Sequence, residues 1–293
     1  MAQYFLTLPS SHPQHIVPRA AARPHVLGEL RISTQEKLMF RRIAVFVYGI
    51  ACYVAALATF AYLAAFLENI AVPTSIDSAR RSPLWVAFAI DLGLLILFGL
   101  QHSVMARPGF KAIWTKVIPP AAERSTYVLF SSIAMFLMFW QWRPMGGVIW
   151  NVQSGYGRIA LYVLYALGWA VVLATTFLID HFDLFGLRQV VLQLIGRPYT
   201  GLRFRTPGPY KLVRHPLYVG WITVFWSTPD MTAAHLLFAV GLTVYILIAI
   251  RYEERDLLRF HLEYADYRRR VPMLVPVGSQ LQATDSPAIK DVA

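Results

Sequence analysis

Charge is scarce in this 293-residue chain. Asp, Glu, Lys and Arg make up 15% of it and hydrophobic residues 57%, whereas soluble domains carry about a quarter charged residues. Mean hydropathy is +0.48, so there are too few polar groups to cover a soluble surface, and a bilayer is the expected solvent. Cysteine is nearly missing. The single Cys52 excludes a disulfide framework, a cysteine-rich metal site and a redox pair; inside an apolar run it is a small buried hydrophobe. No Gly-x-Gly-x-x-Gly follows a strand and there is no P-loop, which excludes the common nucleotide cradles. His215 has no His-Glu-x-x-His partner, and no metal site is expected. Residues 1–35 lack the compact apolar core of a secretory signal. No internal repeat supports a transporter built from repeated halves.

What the sequence does have is apolar length. A helix of about 20 apolar residues crosses the hydrocarbon core, and Ile43 to Leu67, Leu84 to Met105, Thr126 to Trp142 and Ile159 to Ile179 are read as four spans. Leu217 to Thr228, a Pro229-Asp230 turn and Met231 to Ile250 then predict a helical hairpin, with Pro216 in its first turn. Gly155-Tyr156-Gly157 is expected to be a turn. The fold class is therefore an all-α integral membrane protein of four transmembrane helices plus a C-terminal helical hairpin. Of the 27 Lys and Arg, 23 fall in segments 1–42, 107–125, 181–215 and 251–293. The positive-inside rule places those segments and both termini in the cytoplasm. The net charge of +11 is thus topological, with attraction to anionic headgroups secondary, and no nucleic-acid partner is expected. Four divisions follow: a flexible basic tail (1–42), the spans (43–180), a region with the hairpin (181–276) and a loose C-terminal tail (277–293).

Polar groups near a membrane are costly unless paired or used, and most of them lie on the expected cytoplasmic side. They are Gln101-His102, Asp180-His181-Phe182-Asp183, Arg214-His215, and Arg251 with Glu253-Glu254. Asp91 lies inside a span and is either a buried hydrogen-bond partner or a solvated residue nearer the outer surface. Helix ends that gather acids and bases at one face suit an enzyme taking a polar cofactor from the cytosol and an apolar partner from the bilayer. At about 100° per residue, Glu253, Leu257, Phe260, Tyr264, Tyr267 and Val271 fall on one packed line, while Glu254 lies off it. A carboxylate on a packed face needs a cation or a donor, and Arg214 and Arg251 are structural candidates for Glu253.

Residues 207–220, Pro-Gly-Pro-Tyr-Lys-Leu-Val-Arg-His-Pro-Leu-Tyr-Val-Gly, resemble the Arg-His-Pro-x-Tyr-x-Gly signature of the isoprenylcysteine carboxyl methyltransferase superfamily. Its second half, a Glu-Glu pair, Leu, Phe, two spaced Tyr and Val-Pro, is matched by Glu253-Glu254, Leu257, Phe260, Tyr264, Tyr267 and Val271-Pro272. Met273 follows where the prenylcysteine enzymes commonly have Arg, and His261 stands where the signature often has Gly. Upstream, Gln101-His102-Ser103, Met105-Ala106-Arg107-Pro108, Glu123-Arg124-Ser125-Thr126-Tyr127 and the run from Phe177 to Gln189 resemble the methanethiol S-methyltransferases and their NnrU-like relatives within that superfamily.

The resemblance implies methyl transfer from S-adenosyl-L-methionine to the sulfur of methanethiol, giving dimethyl sulfide, in a bacterial inner membrane. It puts Gly208, Tyr210, Val213, Arg214, His215, Tyr218, Arg251, Glu254, Tyr264 and Tyr267 at a cytoplasmic cofactor pocket, with Arg214 or Arg251 on the cofactor carboxylate and Tyr264 or Tyr267 beside adenine. Glu253 pairs with the cationic part of the cofactor or orients an arginine. The thiol side is assigned to Asp180-His181, with Gln101, His102, Phe182 and Arg188 around the substrate. His181 is the expected proton acceptor, oriented by Asp180 or Asp183. Other acceptors on the same scaffold are hydrogen sulfide, another small thiol or a prenylated cysteine, and a non-enzymatic NnrU-like role is the reading from another class.

Overall fold

The computed structural model describes residues 24–78, 82–202, 205–261 and 263–276. The chain is mostly helical. Its elements are α1 (Pro24–Leu67), α2 (Leu84–Met105), α3 (Pro108–Trp114), α4 (Glu123–Gln141), β1 (Val148–Asn151), α5 (Gly155–Ile179), α6 (His181–Leu184), α7 (Leu187–Leu194), α8 (Pro216–Trp226), β2 (Asp230–Thr232), α9 (Ala233–Phe260) and α10 (Glu263–Arg270). Four helices are long and apolar enough to cross a membrane: α1 over Gln35–Leu67, α2, α5, and α9 over Ala233–Arg259. This is an integral membrane protein.

Three of the four expected spans are among those helices. The remaining one, Thr126 to Trp142, corresponds to α4 with Trp142 as its C-cap. Glu123, Arg124, Ser125 and Thr126 in its first turns make it less apolar than those four, although Phe130, Ile133, Phe136 and Trp140 form an exposed apolar row along it. α4 lies against α1 and α2, and Arg124, Ser125, Thr126 and Ser132 are buried on it. Its place in the set is taken by α9, the second arm of the expected hairpin. The N-terminal boundary also moves: residues 24–42, read as tail, belong to α1, while residues 1–23 and 277–293 lie outside the described residues. Gly155-Tyr156-Gly157 is the first turn of α5 rather than a loop, because the Ser154 hydroxyl caps it by accepting from the Gly157 N–H.

Two short strands not foreseen from the sequence tie α4–α5 to α8–α9. β1 runs antiparallel to β2 with Trp150 opposite Met231 and Asn151 opposite Asp230. Arg158 pairs with Asp230 at 2.8 Å there. Near the same end Asp91 is fully buried and accepts the Arg143 backbone N–H at 2.9 Å, which makes it a hydrogen-bond partner and not a solvated residue. Cys52 is buried, as expected.

The contact that positions the signature is α5 on α8. A Cβ on Gly220 would lie 3.0 Å from the Gly168 carbonyl oxygen, and one on Gly168 would lie 3.2 Å from the Gly220 carbonyl oxygen. The last residue of the Arg-His-Pro-x-Tyr-x-Gly run is therefore a glycine because two helix backbones meet there, with no room for a side chain.

Candidate active site

Pro216 starts α8 at the position where a missing N–H costs nothing, so Arg214 and His215 are held just outside the helix. Their backbone N–H groups donate to the carbonyls of Pro272 and Met273 at 2.8 and 3.2 Å. The two halves of the signature thus close on each other through the main chain. Glu254 locks the closure. Its Oε1 accepts from Arg214 Nε at 2.7 Å and His215 Nε2 at 3.0 Å, and its Oε2 faces Arg268 Nε at 3.3 Å. Arg214 Nη1 also donates to the Arg268 and Val271 carbonyls.

In front of this clamp is a cavity of about 240 Å³. Its wall brings together Asp180, Tyr210, Arg214, His215, Glu253, Tyr264 and Tyr267 from four separate stretches of chain, along with Arg205 and an apolar side that includes Leu202 and Leu257. Glu253 Oε2 accepts the Tyr218 hydroxyl at 2.9 Å. Adjacent carboxylates thus take different sides, because one residue turns a helix by about 100°. The expected packed line is broken, since α9 stops at Phe260 and α10 restarts at Glu263. Leu257, Tyr264 and Tyr267 nevertheless cluster and are buried. Burial pushes the phenols up, that of Tyr267 to about 12, so both rings are neutral aromatic surfaces.

Asp180 has the strained backbone φ of 150° between α5 and α6, a conformation that persists only where the surroundings hold it. Its Oδ1 caps α6 by accepting the Asp183 N–H at 3.1 Å. Oδ2 makes no hydrogen bond among the described residues and belongs to a side chain on the cavity wall.

The other expected residues lie elsewhere. His181 is buried behind the wall, its Nδ1 2.9 Å from Thr176 Oγ1 and its Nε2 2.8 Å from the Tyr53 hydroxyl. Thr176 spends its own proton on the Leu173 carbonyl, so Nδ1 carries the imidazole proton and Nε2 accepts from Tyr53. Burial pulls this imidazole below 6.5, against the opposing charge of Asp180. His102 repeats the arrangement, with Ser131 at Nδ1 and Tyr127 at Nε2, and Gln101 reaches Met105 and Ser131. Neither His102 nor Gln101 lines the cavity.

Arg188 is engaged by Asp183 at 2.9 Å and by Thr200, so it braces a loop. Burial pushes the Asp183 carboxyl up while Arg188 pulls it down. Phe182 and Arg251 are exposed, and Gly208 sits at a positive φ of 47° in open space. Val213 is buried off the wall. Residues on the wall that the sequence reading missed include Leu202, Arg205 and Thr206; the last two immediately precede Pro207, and that adjacency was the one available signal.

The cavity wall combines carboxylates, guanidiniums and neutral tyrosines, a set able to meet a ligand that carries both signs of charge and a flat ring. His215 lines the cavity, and its Nδ1 is buried with no partner among the described residues, so it is available to a bound molecule. Among the described residues no His, Cys, Asp and Glu group is arranged to hold a metal ion.

The chain is 57% identical over 236 residues to a methanethiol S-methyltransferase of Crocosphaera subtropica, covering 80% of this chain and 92% of that one. The chain belongs to the methanethiol S-methyltransferase family. The enzyme of that name from Mycobacterium tuberculosis is 51% identical over 237 residues, 80% of this chain and 97% of that one. A more distant relative, nurim of Sus scrofa, is 33% identical over 181 residues, 59% of this chain and 68% of that protein. No protein-family model matches, and neither does any solved structure. Both stretches of the signature therefore sit in a methanethiol S-methyltransferase chain, and they meet at one cavity.

Proposed function

We propose that this chain transfers a methyl group from S-adenosyl-L-methionine to the sulfur of methanethiol, releasing S-adenosylhomocysteine and dimethyl sulfide at the cytoplasmic face of a bacterial inner membrane. The observation that carries the reading is the closure of Arg214-His215 and Glu253-Glu254 onto a single cavity whose wall joins Asp180 to three tyrosines. The names of the relatives supply the acceptor.

When bound, the cofactor supplies a methyl group on a positively charged sulfur, and that charge favours thiolate over thiol beside it. Arg214 Nη2, the guanidinium nitrogen with no protein partner among the described residues, takes the cofactor carboxylate. Glu253, fixed by Tyr218, faces the cationic end. Tyr264 and Tyr267 flank the base, and His215 Nδ1 accepts from a hydroxyl or ammonium. A thiol is mostly protonated at neutral pH, so the acceptor needs somewhere to leave its proton. Asp180 Oδ2 takes it, because it is a carboxylate oxygen of a wall residue with no hydrogen bond among the described residues. His181 acts through its neighbours, holding the turn that carries Asp180 and accepting from Tyr53. Leu178, Ile179 and Leu257 keep that side of the cavity dry, which strengthens the attraction between thiolate and sulfonium.

The test is purified chain in detergent given S-adenosylmethionine and, separately, methanethiol, hydrogen sulfide and a prenylated cysteine. Dimethyl sulfide and S-adenosylhomocysteine in equal amounts from methanethiol, with slower turnover of the others, is the expected result. Preferential turnover of either other acceptor would replace the substrate, and no turnover of any would overturn the reading.

A further inference from the structure

α1 carries an exposed apolar row, Ile43, Val47, Ile50, Val54 and Leu57, at alternating spacings of four and three. That is the face a helix turns to lipid. The row continues to Phe40, and Arg41 and Arg42 flank that last turn, where cations and exposed apolar side chains share one stretch of helix. Beside this point the C-terminal end of α7 places Gln193, Gly196 and Arg197 against Leu38, Arg41 and Arg42, with a groove of about 480 Å³ between the two helices.

Three guanidiniums converge on that groove, and among the described residues none has an ion pair. Arg188, on the same α7, is by contrast bound to Asp183. Gly196 makes the approach possible. At a φ of +72°, it would bring a Cβ within 3.1 Å of Arg42 Nη1. Gln193 adds a buried amide oxygen with no partner among the described residues. Like charges gathered around an open groove repel one another unless an anion joins them, and the planar guanidinium fork matches phosphate oxygens. Phe40, Val191 and Ile195 are exposed alongside, so an occupant with an apolar portion covers them while a free anion leaves them bare.

We propose that this groove binds the phosphodiester head of an anionic glycerophospholipid. Arg41, Arg42 and Arg197 hold the phosphate, and Gln193 Oε1 accepts from a headgroup hydroxyl. The proposal rests on the membrane location alone and not on the reaction.

The experiment compares phosphatidylglycerol, phosphatidylcholine of the same chains and inorganic phosphate, added to the purified chain in neutral detergent. Retention is read by native mass spectrometry and stabilisation by the unfolding midpoint. Phosphatidylglycerol is expected to be retained and to raise the midpoint, and the other two not. In R42Q/R197Q, retention should weaken by about fivefold per charge removed, while R255Q/R259Q, two exposed arginines of α9, should bind as the parent does. Equal stabilisation by inorganic phosphate would make this a free-anion site and overturn the lipid assignment. Equal retention of phosphatidylcholine, or full retention of phosphatidylglycerol by R42Q/R197Q, would overturn the site. Should the double variant fail to fold, Arg197→Gln, on an exposed residue, gives the same decision: about a fivefold loss supports the site and unchanged retention overturns it.

Discussion

Glu253 and Glu254 are neighbours in α9 with carboxylates on opposite sides of the cavity wall: Glu253 takes the Tyr218 hydroxyl at 2.9 Å facing the cavity, and Glu254 takes Arg214 at 2.7 Å behind it. One is placed to meet a ligand and the other to hold the wall that meets it.

Their amides should therefore fail differently. Glu254→Gln leaves the Arg214 guanidinium without its counter-charge in a largely buried setting, and loss of one partner there costs about 3–5 kcal/mol. A fall in the unfolding midpoint with poor recovery of folded protein is expected. Glu253→Gln should fold normally and bind the cofactor about tenfold or more weakly, since a hydrogen bond to a charged group is worth about 1.5–3 kcal/mol, with turnover falling accordingly. Thermal unfolding in detergent and initial rates on the same preparations separate the two.

Asp180→Asn keeps the α6 cap, since the amide oxygen still accepts the Asp183 N–H, but removes the oxygen that takes the thiol proton. Turnover should fall by about a hundredfold or more while S-adenosylhomocysteine still binds. His181→Asn, which keeps a donor toward Thr176, should lower the rate less. Calorimetric binding alongside rates checks both, and a fully active Asp180→Asn would return the proton to another acceptor.

Acid sensitivity follows from His181. Its folded-state pKa lies below 6.5 because of burial, so as the pH falls through about 6.5 the unfolded chain gains a proton that the folded chain refuses. The stabilisation is complete above that pH and is lost progressively below it. The unfolding midpoint should drop between about pH 7 and pH 5, and His181→Asn should flatten that limb.

Gly220→Ala should push α8 off α5, because the new Cβ would press on the Gly168 carbonyl and the Val172 side chain. Overpacking of this kind costs about 1–3 kcal/mol. A lower unfolding midpoint and a weaker affinity for S-adenosylhomocysteine are expected together, since α8 carries the residues beside the clamp.

Much of this was legible in the sequence for physical reasons. Long apolar runs predict helices, and two motifs spaced around a proline-started helix placed Arg214, His215, Glu253, Tyr264 and Tyr267 near one another. What sequence could not supply was partnership across distance. His181 is set by Tyr53, 128 residues away, and Arg188 by a loop held through Thr200. The ribbon of β1 and β2 is too short to leave a period in the sequence, and its strands pair across about 80 residues. α4 is the mixed case: its first turns carry Glu123, Arg124, Ser125 and Thr126, while Phe130, Ile133, Phe136 and Trp140 are exposed further along.

The most direct measurement is headspace gas chromatography on cells that make no dimethyl sulfide of their own, fed methanethiol and expressing either the intact chain or Glu253→Gln at matched levels. Dimethyl sulfide from the intact chain, with far less from Glu253→Gln, is the result expected. No dimethyl sulfide from an intact chain shown to be folded in the membrane would contradict the account, and equal product from Glu253→Gln would remove the cavity from the reaction.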